Sequence, residues 1–171
     1  MKKFLKECWP YMVIFVLVIL TRTFLITPVK VNGSSMDNTL QDGEIMLLYK
    51  LAKIERNDIV VIDKSVQGSN LIKRIIAMPG EKVSCENGAI FINGKRFNDK
   101  YANGITSDFE EITLKDDEYF VLGDNRLVSE DSRSFGPVKK KDVSGEANII
   151  IYPFSKFGKV DWKNFSVFLC L

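Results

Sequence analysis

A chain of 171 residues suits one domain with a small appendage, and its net charge of +2, from 24 Lys and Arg against 22 Asp and Glu, is too even for a nucleic-acid footprint. The absence of histidine excludes a Ser-His-Asp triad, a Cys-His pair and a histidine-ligated metal. Cys8, Cys85 and Cys170 form no C-x-x-C pair, so neither a metal nor another cofactor is expected, and a Cys85–Cys170 bond would need both thiols outside the cell.

The chain opens with Lys2, Lys3 and Lys6, followed by an almost uninterrupted apolar stretch from Trp9 to Leu20 that continues to Ile26 before Pro28. From Trp9 to Ile26 it is about long enough to cross a hydrocarbon core of ~30 Å. The lysines place the N-terminus in the cytoplasm. Arg22 lies near the far end, where its stem can carry the charge to the interface. A cleavable secretory signal has the same order of charge and apolar run, but this run is long and no Ala-x-Ala site follows it; the next residues are Thr27-Pro-Val-Lys30. The expected organisation is therefore a cytoplasmic N-terminus over 1–8, a transmembrane anchor over 9–27 and an extracytoplasmic β-rich domain over 28–171.

Beyond Pro28, short apolar and β-branched runs recur between turn signals. They are Glu44–Tyr49, Asp58–Ile62, Leu71–Met78, Lys82–Cys85, Ala89–Phe97 with an Asn93-Gly94 hairpin turn, Glu118–Leu122 and Ala147–Tyr152. The expected fold class is mainly β: a curled, barrel-like antiparallel sheet with one N-terminal transmembrane helix. Asn98 to Lys115 is polar and poorly patterned and reads as a surface excursion. The aromatic-rich tail, Phe154 to Leu171, reads as a last strand or core cover, or alternatively as a surface that dips into a membrane.

Two residues carry the candidate chemistry. Ser35 lies in a glycine-containing turn, Val31-Asn-Gly-Ser-Ser-Met-Asp-Asn-Thr-Leu40, and Lys73 lies in an apolar run, Leu71-Ile-Lys-Arg-Ile-Ile-Ala-Met-Pro-Gly80. A serine hydroxyl needs a neighbour to take its proton. Without histidine that neighbour is a lysine, and a lysine serves as a base only if burial keeps its amine neutral. On a strand, Lys73 and Arg74 point to opposite faces, so one of them must lean inward. A third segment, Tyr119-Phe-Val-Leu-Gly-Asp-Asn-Arg-Leu-Val-Ser-Glu-Asp-Ser-Arg-Ser-Phe-Gly136, feeds a strand into a dense polar loop whose side chains must satisfy one another.

Taken together, these three segments resemble the serine, lysine and Gly-Asp boxes of the type I signal peptidases, membrane-anchored bacterial enzymes with a serine–lysine dyad. The resemblance covers most of the chain, including the anchor. It implies that Ser35 is the nucleophile, Lys73 the general base and Ser129 the hydroxyl that orients the amine. It further implies two supporting ion pairs, Arg74 with Asp124 and Asp131 with Arg133. Val31, Gly33, Met36, Leu40, Leu71 and Ile72 match walls of shallow pockets that admit alanine and exclude bulk. The Ser35 N–H would donate to the oxyanion.

The chain departs from the family pattern at two positions. Gly33 stands where some members carry a serine whose hydroxyl is a second oxyanion donor. Asn38 stands where the serine box has proline, and asparagine favours a turn less rigidly. The expected partners are signal peptides of exported preproteins and the lipid bilayer, with secretion or pilus-assembly components as candidate associates and a restricted substrate set. A non-catalytic accessory that binds pilin or secreted precursors is the alternative of a different class. A self-cleaving repressor would need a DNA-binding helix pair where the anchor lies.

Overall fold

The computed structural model describes residues 2–63 and 65–160. Helix α1 (Lys2–Phe24) opens the chain, and its apolar side chains from Trp9 to Leu20 are exposed on all sides. Among the described residues no helix is long and apolar enough to cross a membrane. From Trp9 to Phe24 the rise is about 24 Å at 1.5 Å per residue, short of a ~30 Å core. The apolar sequence runs on, but Ile26 and Thr27 already belong to a strand. Lys50 fastens the helix end: its N–H donates to Leu25 O at 3.0 Å and its Nζ to Thr23 O at 2.8 Å, where a cation suits the helix C-terminus.

Twelve strands follow: β1 (Ile26–Lys30), β2 (Ile45–Tyr49), β3 (Ile59–Ile62), β4 (Leu71–Ala77), β5 (Lys82–Glu86), β6 (Ala89–Ile92), β7 (Lys95–Arg96), β8 (Phe109–Thr113), β9 (Glu118–Leu122), β10 (Val138–Lys139), β11 (Val143–Tyr152) and β12 (Gly158–Lys159). They form two antiparallel sheets. The main one runs β1-β2-β11-β3-β4-β9-β10, with β12 added to β11, and the smaller one runs β7-β6-β5-β8. The main sheet is curled. Its longest strand, β11, pairs with β3 through its first half and with β2 through its second, with register shifts along both pairings.

Each run singled out in the sequence lies in a strand. The Asn93-Gly94 pair closes the β6–β7 hairpin with both residues at positive φ, as a two-residue turn of that type demands. The segment from Asn98 to Lys115 corrects the sequence reading. It supplies β8 to the smaller sheet, buries Thr106 and lays Tyr101 against Arg74. Its apolar residues, Phe109 and Ile112, are spaced by charged ones and gave a weak strand pattern, yet both pack on the core shared by the two sheets. Of the aromatic tail, the described part makes a short turn, β12 and a buried Val160. Trp162, Phe165, Phe168 and Cys170 lie outside the described residues, and Cys85 is a buried free thiol.

The core has three parts. Val31, Met36 and Leu40 of the serine segment pack on Met46, Ile59, Val61 and Ile150. Ile76, Phe120 and Leu122 meet Val83, Cys85 and Ile90 across the two sheets. Val60, Ile62, Ile75, Tyr119 and Val121 form the third. Strand β4 contributes to all three. It is buried along both faces from Ile72 to Ala77, including the charged residues Lys73 and Arg74.

Gly145 permits the tight passage of β11 past the end of β2. It has φ +149°, and a Cβ there would strike the Tyr49 carbonyl oxygen and approach Lys50 Cα to 2.9 Å. Both contacts are backbone and cannot give way. Gly145→Ala is expected to destabilise the protein by about 2 kcal/mol or more in urea denaturation. Gly68→Ala, also at positive φ but with open space around it, should lose only about 1 kcal/mol.

Candidate active site

Lys73 sits in the middle of β4, paired with Val60 on β3. On the other side Arg74 pairs with Leu122 and Ile75 with Val121. One step further along that ladder puts Gly123 across from Lys73. Gly123 has no side chain to fill the space. A Cβ there would overlap the Ser129 hydroxyl and come within 2.5 Å of the Ser35 carbonyl oxygen. The glycine therefore lets the serine loop and the Ser129 loop close on the same point beside the lysine.

Lys73 is only 3% exposed. It and Ser35 both line an open cleft of about 410 Å³, whose walls run from Thr27 to Asn32 and from Ser69 to Ile72. Burial pushes the Lys73 pKa below the ordinary lysine value. The carboxylates of Asp131, Glu130 and Asp124 pull it back up, Arg133 pushes it further down, and burial prevails. Ser129 Oγ is itself buried and makes no well-formed hydrogen bond to the protein, although it lies close enough to Asp131 to help stabilise that carboxylate.

The polar residues beneath the cleft hold these loops in place. Arg74 is 1% exposed and meets Asp124 through two parallel bonds, Nε to Oδ1 at 2.8 Å and Nη2 to Oδ2 at 2.6 Å. Its Nη1 donates to Asn57 O at 2.6 Å, and the Tyr101 ring lies 3.6 Å from the guanidinium carbon. Asp124 also accepts the Thr39 hydroxyl, which ties the serine loop to the end of β9. Asn125 completes the clamp, donating its N–H to Ser35 O at 3.0 Å and its Nδ2 to Ser34 O at 3.1 Å.

A second ion pair lies under the Ser129 loop. Asp131 caps the short helix α2 (Ser132–Phe135) and accepts from Gly123 N–H at 3.0 Å and from Arg133 Nε and Nη2 at 2.8 and 2.9 Å. Burial pushes its carboxyl up, but Arg133 and the Gly123 N–H outweigh this and hold it below the usual carboxylate range. The Ser132 hydroxyl accepts from Val121 N–H. Arg126, 2% exposed, donates to Gly123 O and Thr106 Oγ1 and pairs with Asp99.

The structure thus gathers Ser35, Lys73, Ser129, Arg74, Asp124, Asp131 and Arg133 around Gly123. Leu71 and Ile72 line the cleft with Ser35, whereas Val31, Met36 and Leu40 pack in the core. Gly33 is exposed at φ +85°, and its N–H is already committed to Asp42 Oδ1 at 2.7 Å. Sequence reasoning gave no role to Thr39, Asn125, Arg126 or Tyr101. Three of these sit inside the motifs and could have been suspected as loop ties; Tyr101 had no signal, since its contact with Arg74 arises only from the fold.

The chain belongs to the signal peptidase family, peptidase S26, as a type I signal peptidase: a family model described as "Signal peptidase, peptidase S26" matches residues 4–152. It is 36% identical to a protein of Bacillus licheniformis named Signal peptidase I, over 85% of this chain and 87% of that one. It is 32% identical to Signal peptidase I of Streptococcus pneumoniae, over 92% and 97% of the two chains. The crystal structure of a signal peptidase I from Enterococcus faecalis superposes with a TM-score of 0.50 at 34% identity, covering 56% of this chain and 97% of that one.

Asn38 shows how this serine loop is built. Its φ is +79°, in the left-handed region that asparagine tolerates and proline, locked near −65°, cannot enter. The next residue is Thr39, which reaches Asp124. Asn38→Pro is therefore expected to pull Thr39 away and shift Ser35, lowering precursor cleavage by about a hundredfold, whereas Asn38→Gly keeps it within a few-fold. Cleavage assays on both variants check this. Asp124→Ala, which strands the buried Arg74 charge, is expected to cost about 3–5 kcal/mol in urea denaturation.

Proposed function

We propose that this protein removes N-terminal signal peptides from exported preproteins, with Ser35 as the nucleophile and a neutral Lys73 as the general base. The observation that carries the reading is a lysine 3% exposed, its pKa lowered by burial, on the same cleft as a serine held beside Gly123. In the first step the Ser35 Oγ attacks the scissile carbonyl carbon and its proton passes to Lys73 Nζ. The Ser35 N–H would stabilise the oxyanion. The Lys73 ammonium then protonates the leaving amine as the C–N bond breaks, giving the mature protein and an ester on Ser35. Lys73, neutral again, takes a proton from water, the hydroxide adds to the ester, and the ester C–O bond breaks as Lys73 returns the proton to Ser35. The signal peptide leaves as a carboxylate.

Ser129 serves here as the hydroxyl that holds the amine. Its Oγ is buried without a strong partner of its own, so it is available for Lys73 Nζ. Gly33 cannot supply a second oxyanion donor through its N–H, which Asp42 occupies. Leu71 and Ile72 line the cleft and favour small side chains before the scissile bond.

In the same reading α1 seats the protein in a lipid bilayer, with the N-terminus cytoplasmic and the β domain on the outer face. The support is the belt of exposed apolar side chains from Trp9 to Leu20, which water would solvate poorly, and the lysines that precede it. A span of this length is accommodated by local thinning and by Arg22 reaching to the interface.

Ser35→Ala and Lys73→Ala are each expected to abolish preprotein cleavage, read as new N-termini by mass spectrometry, with the urea midpoint retained. Normal cleavage by either variant would sink the dyad, whereas a wild type that binds preproteins without cutting them would favour the accessory reading. Activity should rise with pH through the Lys73 pKa, so the ascending limb lies below the ~10.4 of free lysine. The sign for stability is the same. Between the lowered folded value and the ordinary unfolded one the unfolded chain binds the extra proton, so the contribution of Lys73 to stability increases with pH across that window. A limb at the ordinary lysine value would count against burial as the means of activation.

A further inference from the structure

Two large apolar side chains stand in water beside the site. Leu127 is 76% exposed and Val128 60% exposed, immediately before Ser129. The loop that carries them is firmly held. Buried Arg126 fixes it through Gly123 O at 2.9 Å and Thr106 Oγ1 at 2.6 Å, Arg133 Nη2 donates to Arg126 O at 2.9 Å, and the Ser129 N–H donates to Asn125 O at 3.1 Å. Leu127 also lies against Gly104, where a Cβ would come within 2.9 Å of its Cγ. Leu127 and Val128 are thus held outward by a rigid frame, and the hydrophobic effect gives such a surface a use only when something covers it.

The lining of the cleft indicates what covers it. Thr27 to Lys30, Asn32 and Ser69 to Ile72 line it together with Ser35 and Lys73. Leu127, Val128 and Ser129 are not among these lining residues; their loop adjoins Ser35 through Ser129, whose hydroxyl and the Ser35 carbonyl both crowd Gly123. An extended peptide whose residues before the scissile bond fill the cleft leaves it at Ser35, the point that the Ser129 loop adjoins. We propose that Leu127 and Val128 form a subsite for the first residues of the mature protein and favour apolar side chains there. The proposal rests on the signal-peptide cleavage reading above and adds a specificity on the far side of the bond, separate from the small-residue pockets.

The full-length protein in detergent micelles is given two peptides that share one Ala-x-Ala segment and differ only after the scissile bond, Leu-Leu against Ser-Ser. The wild type is expected to favour the Leu-Leu peptide by about fivefold in kcat/KM, mainly through KM, and the double variant Leu127→Gln, Val128→Thr to bring that ratio close to one. Equal use of the two peptides by the wild type, or a ratio unchanged in the double variant, would overturn the subsite. A wild type that cuts neither these peptides nor an intact preprotein would overturn the peptidase reading, and the subsite with it.

Discussion

The rest of the site depends on the buried ion pair between Arg74 and Asp124. It joins the middle of β4 to the turn after β9, and through Thr39 it reaches the serine loop as well. These three segments are far apart in the chain, and among the described residues no disulfide joins them. Two charges out of water cost several kcal/mol each unless every polar atom finds a partner. Here the bidentate contact, the Asn57 carbonyl and the Tyr101 ring supply partners to the guanidinium, while Thr39 supplies one more to the carboxylate. The position of Ser35 relative to β4 therefore follows from the satisfaction of this arginine together with the two Asn125 bonds to the Ser34 and Ser35 carbonyls.

Lys73 and Arg74 are neighbours on one strand, both almost wholly buried, and the fold treats the two cations in opposite ways. Arginine cannot shed its proton, so Arg74 must be paired. Lysine can, so Lys73 is buried on the sheet face that holds Val60 and Ile75, with no carboxylate among the described residues bonded to it, and its ammonium form becomes the costly one. Carboxylates do lie near the amine and would restore its charge. Two of them are engaged elsewhere, Asp124 by Arg74 and Asp131 by Arg133. The ion pairs beneath the cleft thus fix the loops, and they also blunt the negative field that would otherwise raise the Lys73 pKa again.

Much of this was legible in the sequence because it lies in local pattern. The strands announced themselves through β-branched runs, and Asn93-Gly94 through the backbone freedom its turn needs. The missing histidine left lysine as the remaining base. What the sequence hid was long-range. Phe109 and Ile112 of β8 are flanked by Asp108, Glu110 and Glu111, so a strand on the edge of the smaller sheet looked like a polar loop. Tyr101 carried no pattern at all. Arg74 and Lys73 posed an apparent choice of which one leans inward, and both do, because β4 is covered on both faces. Asn38 reads in sequence as a looser stand-in for proline; its backbone is in a region closed to proline, so the loop follows a path that proline could not take.

The desolvation that matters to Lys73 comes from the protein's own side chains and backbone. Val60 on β3, Ile75 on β4 and the close approach of two loops over Gly123 enclose the amine within the fold. An amine desolvated in this way differs from one that a substrate must dehydrate on binding. The cost of lowering its pKa is borne when the chain folds, as burial energy drawn from the whole sheet, so binding energy from a signal peptide remains available to place the scissile carbonyl. Gly123 is where these demands meet. A single methyl group there would collide with the Ser129 hydroxyl and the Ser35 carbonyl and push the two loops apart beside Lys73.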